Sequence, residues 1–295
     1  MATVTILTPT YNRRTLLERL YRSLCAQTCD DFVWLIADDG SDDGTDGQIA
    51  RWADEAPFPV RSFYKENGGK HTAVNRAVPR IDTPLTAIVD SDDALLPDAV
   101  ETVCADYARF DMAGVCAIAY RRMDGSGAYM SSRPVPRDGM RESFCRCRYG
   151  RGIRGDMAEV FVTRCLREYP FPEYPGEKFC SEGVSWVAMS GPYEMIFRNQ
   201  AIVMGGYAPG GLTGSRRRLS LSSPRGCVHR AQVHLAAGLP LRDQCRAMMV
   251  YAVYGRAAGM SVAQLLRGSR RRGLYLLLAL PAEGLYRYWR RREKT

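Results

Sequence analysis

Three carboxylates stand together where an apolar run ends. The run is "AIVDSDD", with Asp90, Asp92 and Asp93 directly after Ala87, Ile88 and Val89. Residues i and i+2 of a strand point to the same side, so Asp90 and Asp92 converge on one ligand if the extended backbone continues through them. Carboxylate oxygens suit Mg²⁺ and Mn²⁺, and magnesium commonly takes one or two carboxylates plus substrate phosphates. A cation held this way can neutralise a diphosphate leaving group. The competing reading is a capped turn, with Asp93 leading into the next helix.

Two further stretches could touch a nucleotide. In "ADDGSDDGT" the glycines Gly40 and Gly44 allow tight turns and the Asp and Ser residues can cap a helix. The Asp39 carboxylate could instead accept a hydrogen bond from the imide N–H of a pyrimidine. In "ENGGKHTAVNRAV", Gly68 and Gly69 precede a helix whose first amides suit phosphate, and Lys70, His71 and Arg76 add donors. His71 can equally serve as a cap. His229 and His234 fall in a helical segment and read as structural.

These residues need a frame. The first 120 residues alternate between short apolar runs and helical stripes. "TVTILTPT", "FVWLIADD", "VRSFYKE", "LTAIVDSD" and "GVCAIAYRR" read as strands. Residues 14–27, "DGTDGQIARWADE" and "KHTAVNRAV" read as helices, and Pro97 is expected to open another. Such alternation implies an α/β fold with a mostly parallel central sheet flanked by helices, and ligands gather beyond the carboxyl ends of such strands. Residues 121–155 are rich in Gly, Arg and Pro, which suggests loops or short antiparallel strands. "APGGLTGSRRRLSLSS" reads as a mobile loop, and residues 227–266 as two helices split near Gly238 to Pro240.

The chain has 295 residues, 46% hydrophobic and 25% charged, an ordinary globular composition. The ten cysteines are scattered. Cys104, Cys116 and Cys165 lie in apolar runs and read as buried thiols of a reducing, cytoplasmic setting. Cys145 and Cys147 form a lone C-x-C, a poor match to a zinc site. No leader pattern precedes the first strand, and no run approaches the roughly 18 apolar residues of a membrane span. Of the net charge of +9, residues 267–295 contribute nine Arg or Lys against two Glu, or +7, so the rest carries +2. That tail mixes arginines with Leu, Tyr and Trp289. It suits a peripheral position on an anionic membrane surface, or a helix packed on the domain with a solvated charged end. The body has no basic stripe for nucleic acid.

Taken in order, "ILTPTYNR", "ADDGSDDGT", "ENGGKHTAVNRAV" and "VDSDD" resemble glycosyltransferase family 2, with its A-type nucleotide-sugar-binding fold. The likeness is strong over residues 1 to about 110 and weaker through "GEKFCSEGVSW" to about 205. It implies a nucleotide-sugar-binding half over 1–120, an acceptor-side half over 121–225 and a helical C-terminal extension over 226–295. It also implies that Pro9, Thr10 and Tyr11 line the nucleotide pocket and that Asp39 binds the base, usually uracil. Asp90 and Ser91 would lie at the ribose and diphosphate. Asp92 would be the main ligand of Mn²⁺ or Mg²⁺, assisted by Asp90, and Lys70 would face the departing diphosphate. Glu182 would be the base that takes the acceptor hydroxyl proton, with Glu177 and Asp156 as runners-up.

The implied reaction is inverting displacement at the anomeric carbon. One sugar would move from a nucleotide diphosphate sugar to a cell-surface glycan or lipid-linked acceptor. The chain departs from processive relatives, which carry Q-x-x-R-W and membrane spans. It has Gln264-Leu265-Leu266-Arg267-Gly268, and Glu-Gly at 182 and 183 where many relatives have Glu-Asp. A nucleotidyltransferase would share the alternation but place a Gly-rich basic loop after the first strand, where "TPTYNRR" has no glycine. A non-catalytic sugar-nucleotide-binding protein is the third class, and the intact Asp90, Asp92 and Glu182 count against it.

Overall fold

A computed structural model describes residues 2–205 and 216–292 of the chain. The first apolar run is β1 (Val4–Thr10), and the Leu17, Leu20 and Leu24 stripe forms the buried face of α1 (Arg14–Cys25). β2 (Phe32–Asp38), α2 (Thr45–Glu55), β3 (Val60–Tyr64), α3 (Lys70–Ala77) and β4 (Leu85–Ile88) follow. A two-residue β5 (Ala94–Leu95) then precedes α4 (Ala99–Arg109), so Pro97 lies just outside the helix and Asp98 is its N-cap residue.

The second half supplies β6 (Val115–Met123), β7 (Met140–Glu142), β8 (Met157–Val162), α5 (Thr163–Glu168), α6 (Gly183–Met189) and β9 (Glu194–Met204). The described strands form one nine-stranded sheet in the order β3-β2-β1-β4-β8-β6-β9-β5, with β7 also on β9. β3, β2, β1 and β4 are parallel neighbours. β8 then enters antiparallel between β4 and β6, and β9 pairs parallel with β6. The sheet is therefore mostly parallel in strand direction, yet mixed in pairing beyond β4.

Alternation along the central strands splits the core between the two faces. Trp34 and Ile36 of β2 join Leu17, Leu20 and Trp52 on one face, whereas Leu35 and Ala37 join Ala73, Val74 and Trp186 on the other. On the first face Tyr21 stacks on Trp52 at 4.5 Å between centroids, and Trp52 lies 5.4 Å from Trp34. The Trp34 Nε1–H donates to Thr8 Oγ1 at 3.0 Å, so the ring's polar edge is satisfied inside the core.

After the sheet come α7 (Arg216–Ser222), α8 (Pro224–Ala236), α9 (Leu241–Ala257), α10 (Val262–Gly268) and α11 (Arg272–Arg292). The break expected near Gly238 to Pro240 separates α8 from α9. The Gly- and Ser-rich stretch expected as a loop ends in helix α7, and residues 206–215 lie outside the described residues. The terminal helices bury their own cluster around Met248, Tyr251, Leu265 and Tyr275.

Trp52→Ala should remove the centre of the aromatic stack. The expected loss is about 3–5 kcal/mol, read as a lower urea midpoint in equilibrium unfolding.

Candidate active site

The loops after β1 and β2 are stitched to each other. The Asn12 amide donates to Ser41 Oγ at 2.9 Å, and the Asp42 amide donates to Asn12 Oδ1 at 2.9 Å. Asp43 Oδ2 accepts from the Arg14 amide at the start of α1 at 3.0 Å. Burial works against the Asp43 charge, but hydrogen bonds from Thr45 and the Arg14 amide outweigh it and hold the carboxyl below its usual range. Pro9 and Thr10 are buried at the end of β1, Tyr11 is exposed beside them, and Thr10 Oγ1 has no hydrogen-bond partner among the described residues.

Asp39 is buried, and its four acceptor positions are already filled. Oδ1 accepts from Lys65 Nζ at 2.5 Å and the Gly68 amide at 3.0 Å. Oδ2 accepts from the Gly69 amide at 2.7 Å and Asn67 Nδ2 at 3.3 Å. Here the carboxylate orders the Gly68-Gly69 turn, and a base could reach it only by displacing a side-chain donor. Gly69 has φ +94°, and a Cβ there would overlap the Lys178 carbonyl. That close approach brings the segment carrying Glu182 against the start of α3.

Lys70, the first residue of α3, is the hinge of the cleft. Its ammonium lies 2.5 Å from Asp90 Oδ1 and 2.6 Å from Glu182 Oε1. Burial alone would lower the Lys70 pKa; Asp90 and Glu182 outweigh it and hold the ammonium above the usual lysine range. Burial likewise opposes the Asp90 charge, and Lys70, aided by Arg122 and Arg13, overcomes it and holds the carboxyl below its usual range. Glu182 is the N-cap residue of α6 and Ser190 its C-cap.

The extended backbone does not persist through the acidic cluster. β4 ends at Ile88, and the Asp93 amide donates to the Asp90 carbonyl at 3.0 Å, closing a turn over Asp90–Asp93. Strand alternation therefore does not align Asp90 with Asp92. Each carboxylate meets a different cation: Asp90 meets Lys70, Asp92 meets Arg13 at 3.8 Å, and Asp93 meets Arg122 at 2.5 Å. Ser91 is buried within the turn. Burial pushes Asp93 up to about 6, with Arg122 opposing and Asp90 and Asp92 adding to the rise.

The runners-up for the base have other surroundings. Glu177 Oε1 and Oε2 accept from the Arg225 and Gly226 amides, each at 2.8 Å, so Glu177 satisfies the first amides of α8. Asp156 is exposed just before β8. Arg76 turns outward toward Glu173 at 3.9 Å. His71 is buried, and burial lowers its pKa. His229 and His234 contact Tyr174 and Tyr149 hydroxyls at 2.9 and 3.0 Å, as structural histidines do. Cys116 and Cys165 are buried thiols, Cys116 being pushed up to about 12 by burial.

One carboxyl escaped the sequence reading. Glu159, on β8, lines the same pocket as Lys70, Asp90, Arg122, Glu182 and Trp186. Burial raises it to about 7; Arg148 opposes that, and Glu182 adds to it. Its one visible signal was a single charge inside the apolar run "MAEVFV".

The sheet, the loops at its carboxyl edge and this acidic cleft define an A-type glycosyltransferase fold. The family model for glycosyl transferase family 2 matches residues 5–164, and the chain belongs to that family. It is 25% identical over 199 residues to the GalNAc(5)-diNAcBac-PP-undecaprenol beta-1,3-glucosyltransferase of Campylobacter jejuni, covering 63% of this chain and 59% of that protein. It is 32% identical over 114 residues to the succinoglycan biosynthesis protein ExoW of Rhizobium meliloti, covering 38% of this chain and 36% of that one. The matches thus span less than two thirds of these relatives. Among solved structures, S. aureus TarS 1-349 in complex with UDP-GlcNAc has a TM-score of 0.57 at 17% identity, over 97% of this chain and 78% of that one. The mannosyltransferase PcManGT of Pyrobaculum calidifontis in complex with GDP-Man and Mn2+ has a TM-score of 0.58 at 20% identity, over 97% and 82%. Both share the fold.

Glu159 gives a signed pH test. A carboxyl raised from 4.5 to about 7 binds its proton more tightly folded than unfolded. Its contribution is most favourable below pH 4.5 and is lost as pH rises toward 7. Glu159→Gln should therefore be more stable than the parent above pH 7, by up to about 3 kcal/mol, and the gap should close toward pH 4. Urea unfolding across that range measures it.

Proposed function

We propose that this chain moves one sugar from a nucleotide diphosphate sugar, with UDP as the carrier, to a hydroxyl of a cell-surface glycan or lipid-linked acceptor, with inversion. The observation that carries this reading is Lys70 held between Asp90 and Glu182. One carboxylate belongs to the donor edge of the sheet and the other to the acceptor-side segment, so the two halves of a transfer reaction meet at one ammonium. Relatives support the substrate class, since one acts on an undecaprenol-linked glycan and one neighbour binds UDP-GlcNAc.

In this reading Thr10 and Tyr11 flank the nucleotide, with Pro9 behind them. Asp39 faces the base after Lys65 or Asn67 gives way, and Asp90 and Ser91 lie at the ribose and diphosphate. Glu182 takes the acceptor proton as its oxygen attacks the anomeric carbon. Lys70 passes from its two carboxylates to the leaving diphosphate as charge builds there. Glu159 fits a sugar hydroxyl, as a carboxyl in the same pocket.

Asp92, with Asp90, would hold a divalent cation. The donor chemistry fits: Asp92 is a carboxylate whose cationic neighbour stands off at 3.8 Å, and its side chain is 24% exposed. Among the described residues no three or more His, Cys, Asp or Glu converge, so phosphate oxygens or water would complete the shell. When bound, the cation supplies charge neutralisation to the diphosphate.

The test combines binding with turnover. Thermal shift with UDP-sugars should rise on adding Mn²⁺, and Asp92→Ala should abolish that increment. Glu182→Ala should keep the donor shift yet lose transfer by about 10²–10⁴-fold, read as UDP release with acceptor. Undiminished turnover would move the base elsewhere. No shift with any UDP-sugar would refute the donor assignment.

A further inference from the structure

The C-terminal helix has two faces of opposite character. Tyr275 and Ala282 of α11 are buried, and Leu278, Tyr286 and Trp289 pack on the helical cluster around α9. The opposite face leaves Leu276 61%, Leu277 77% and Leu280 84% exposed. With 100° per residue these three leucines fall within one 100° sector, and Gly273 and Gly284 extend the sector along the axis without bulk.

Arginines stand at both ends of this stripe. Arg270, Arg271 and Arg272 are exposed where the helix begins, and Arg287, Arg290 and Arg291 are exposed where it ends. The one carboxylate of the described helix, Glu283, is engaged by Arg256 at 3.0 Å and Arg287 at 2.8 Å. The face thus presents leucines bracketed by positive charge.

We propose that this outer face of α11 docks on an anionic lipid bilayer, with the helix lying in the plane of the interface. Leucines that no protein surface covers would enter the acyl boundary, and the bracketing arginines would meet headgroup phosphates. A crossing orientation is not open to it, as no helix among the described residues is long and apolar enough to span a membrane. Charge complementarity selects the bilayer over a second copy of the chain. Pairing two such helices face to face sets arginine against arginine at both ends, whether parallel or antiparallel. This surface is separate from the catalytic cleft and does not depend on the reaction proposed for it.

The experiment is co-sedimentation of the full chain with vesicles, without donor or acceptor. Vesicles of phosphatidylcholine with phosphatidylglycerol should carry the protein down, and phosphatidylcholine alone should carry little. Leu277→Glu with Leu280→Glu should cut the bound fraction roughly tenfold, and Arg270→Glu with Arg271→Glu should do the same. All four positions are exposed, so melting temperatures should hold; if one double variant fails to fold, the other decides. Three results would overturn the proposal. These are no binding to the anionic vesicles, binding that survives the leucine changes, and a vesicle-free dimer that those changes dissociate.

Discussion

A cleft that gathers several carboxylates is stable only if cations are delivered to it, and this fold is arranged around that delivery. Lys70 comes from the first turn of α3, Arg13 from the residue before α1, and Arg122 from β6. They meet Asp90, Asp92 and Asp93 one to one, and Lys70 also serves Glu182. In a partly buried site an unpaired carboxylate would be costly, so each loop must hold its own cation in register. The stitched loops at Asn12 and Asp43, and the Gly68-Gly69 turn ordered by Asp39, are the means by which that register is kept.

The elements that position the site were legible in the sequence because their signals are local. β1, β2, β4 and β6 are apolar runs, α1 carries a leucine stripe, and Gly69 before α3 announces a turn. Local pattern also points to Lys70, and the family resemblance to Glu182. Their meeting depends on Lys178 packing over Gly69, a contact more than a hundred residues apart in the chain, and no spacing rule reaches that far. The Asp90–Asp93 turn stands in the sequence only as the competing reading, for a smaller reason. "VDSDD" is compatible with continued strand, and what ends the strand is the hydrogen bond from the Asp93 amide to the Asp90 carbonyl. The antiparallel entry of β8 was hidden too, since it is fixed by partners on β4 and β6 rather than by its own six residues. Glu159 was hidden with it.

The basic tail was read in two ways, as a packed helix or as a surface-seeking one. The structure shows the first for half of its circumference: Tyr275, Ala282 and their neighbours close the C-terminal cluster. The other half is left uncovered, so the surface-seeking reading concerns that side of the helix alone. Composition alone could not separate them, because Leu, Tyr and Trp serve either environment and only the angular position of each residue about the axis tells them apart.

Glu177 ties these regions together. Its two oxygens grip the first amides of α8, five residues before Glu182. The helical region is thus fastened to the very segment that carries Glu182. A fragment trimmed at the end of β9 would keep every strand yet lose the anchor of that segment. A fragment meant to keep that segment anchored therefore extends past the sheet into α8, whose first amides at Arg225 and Gly226 both bind Glu177.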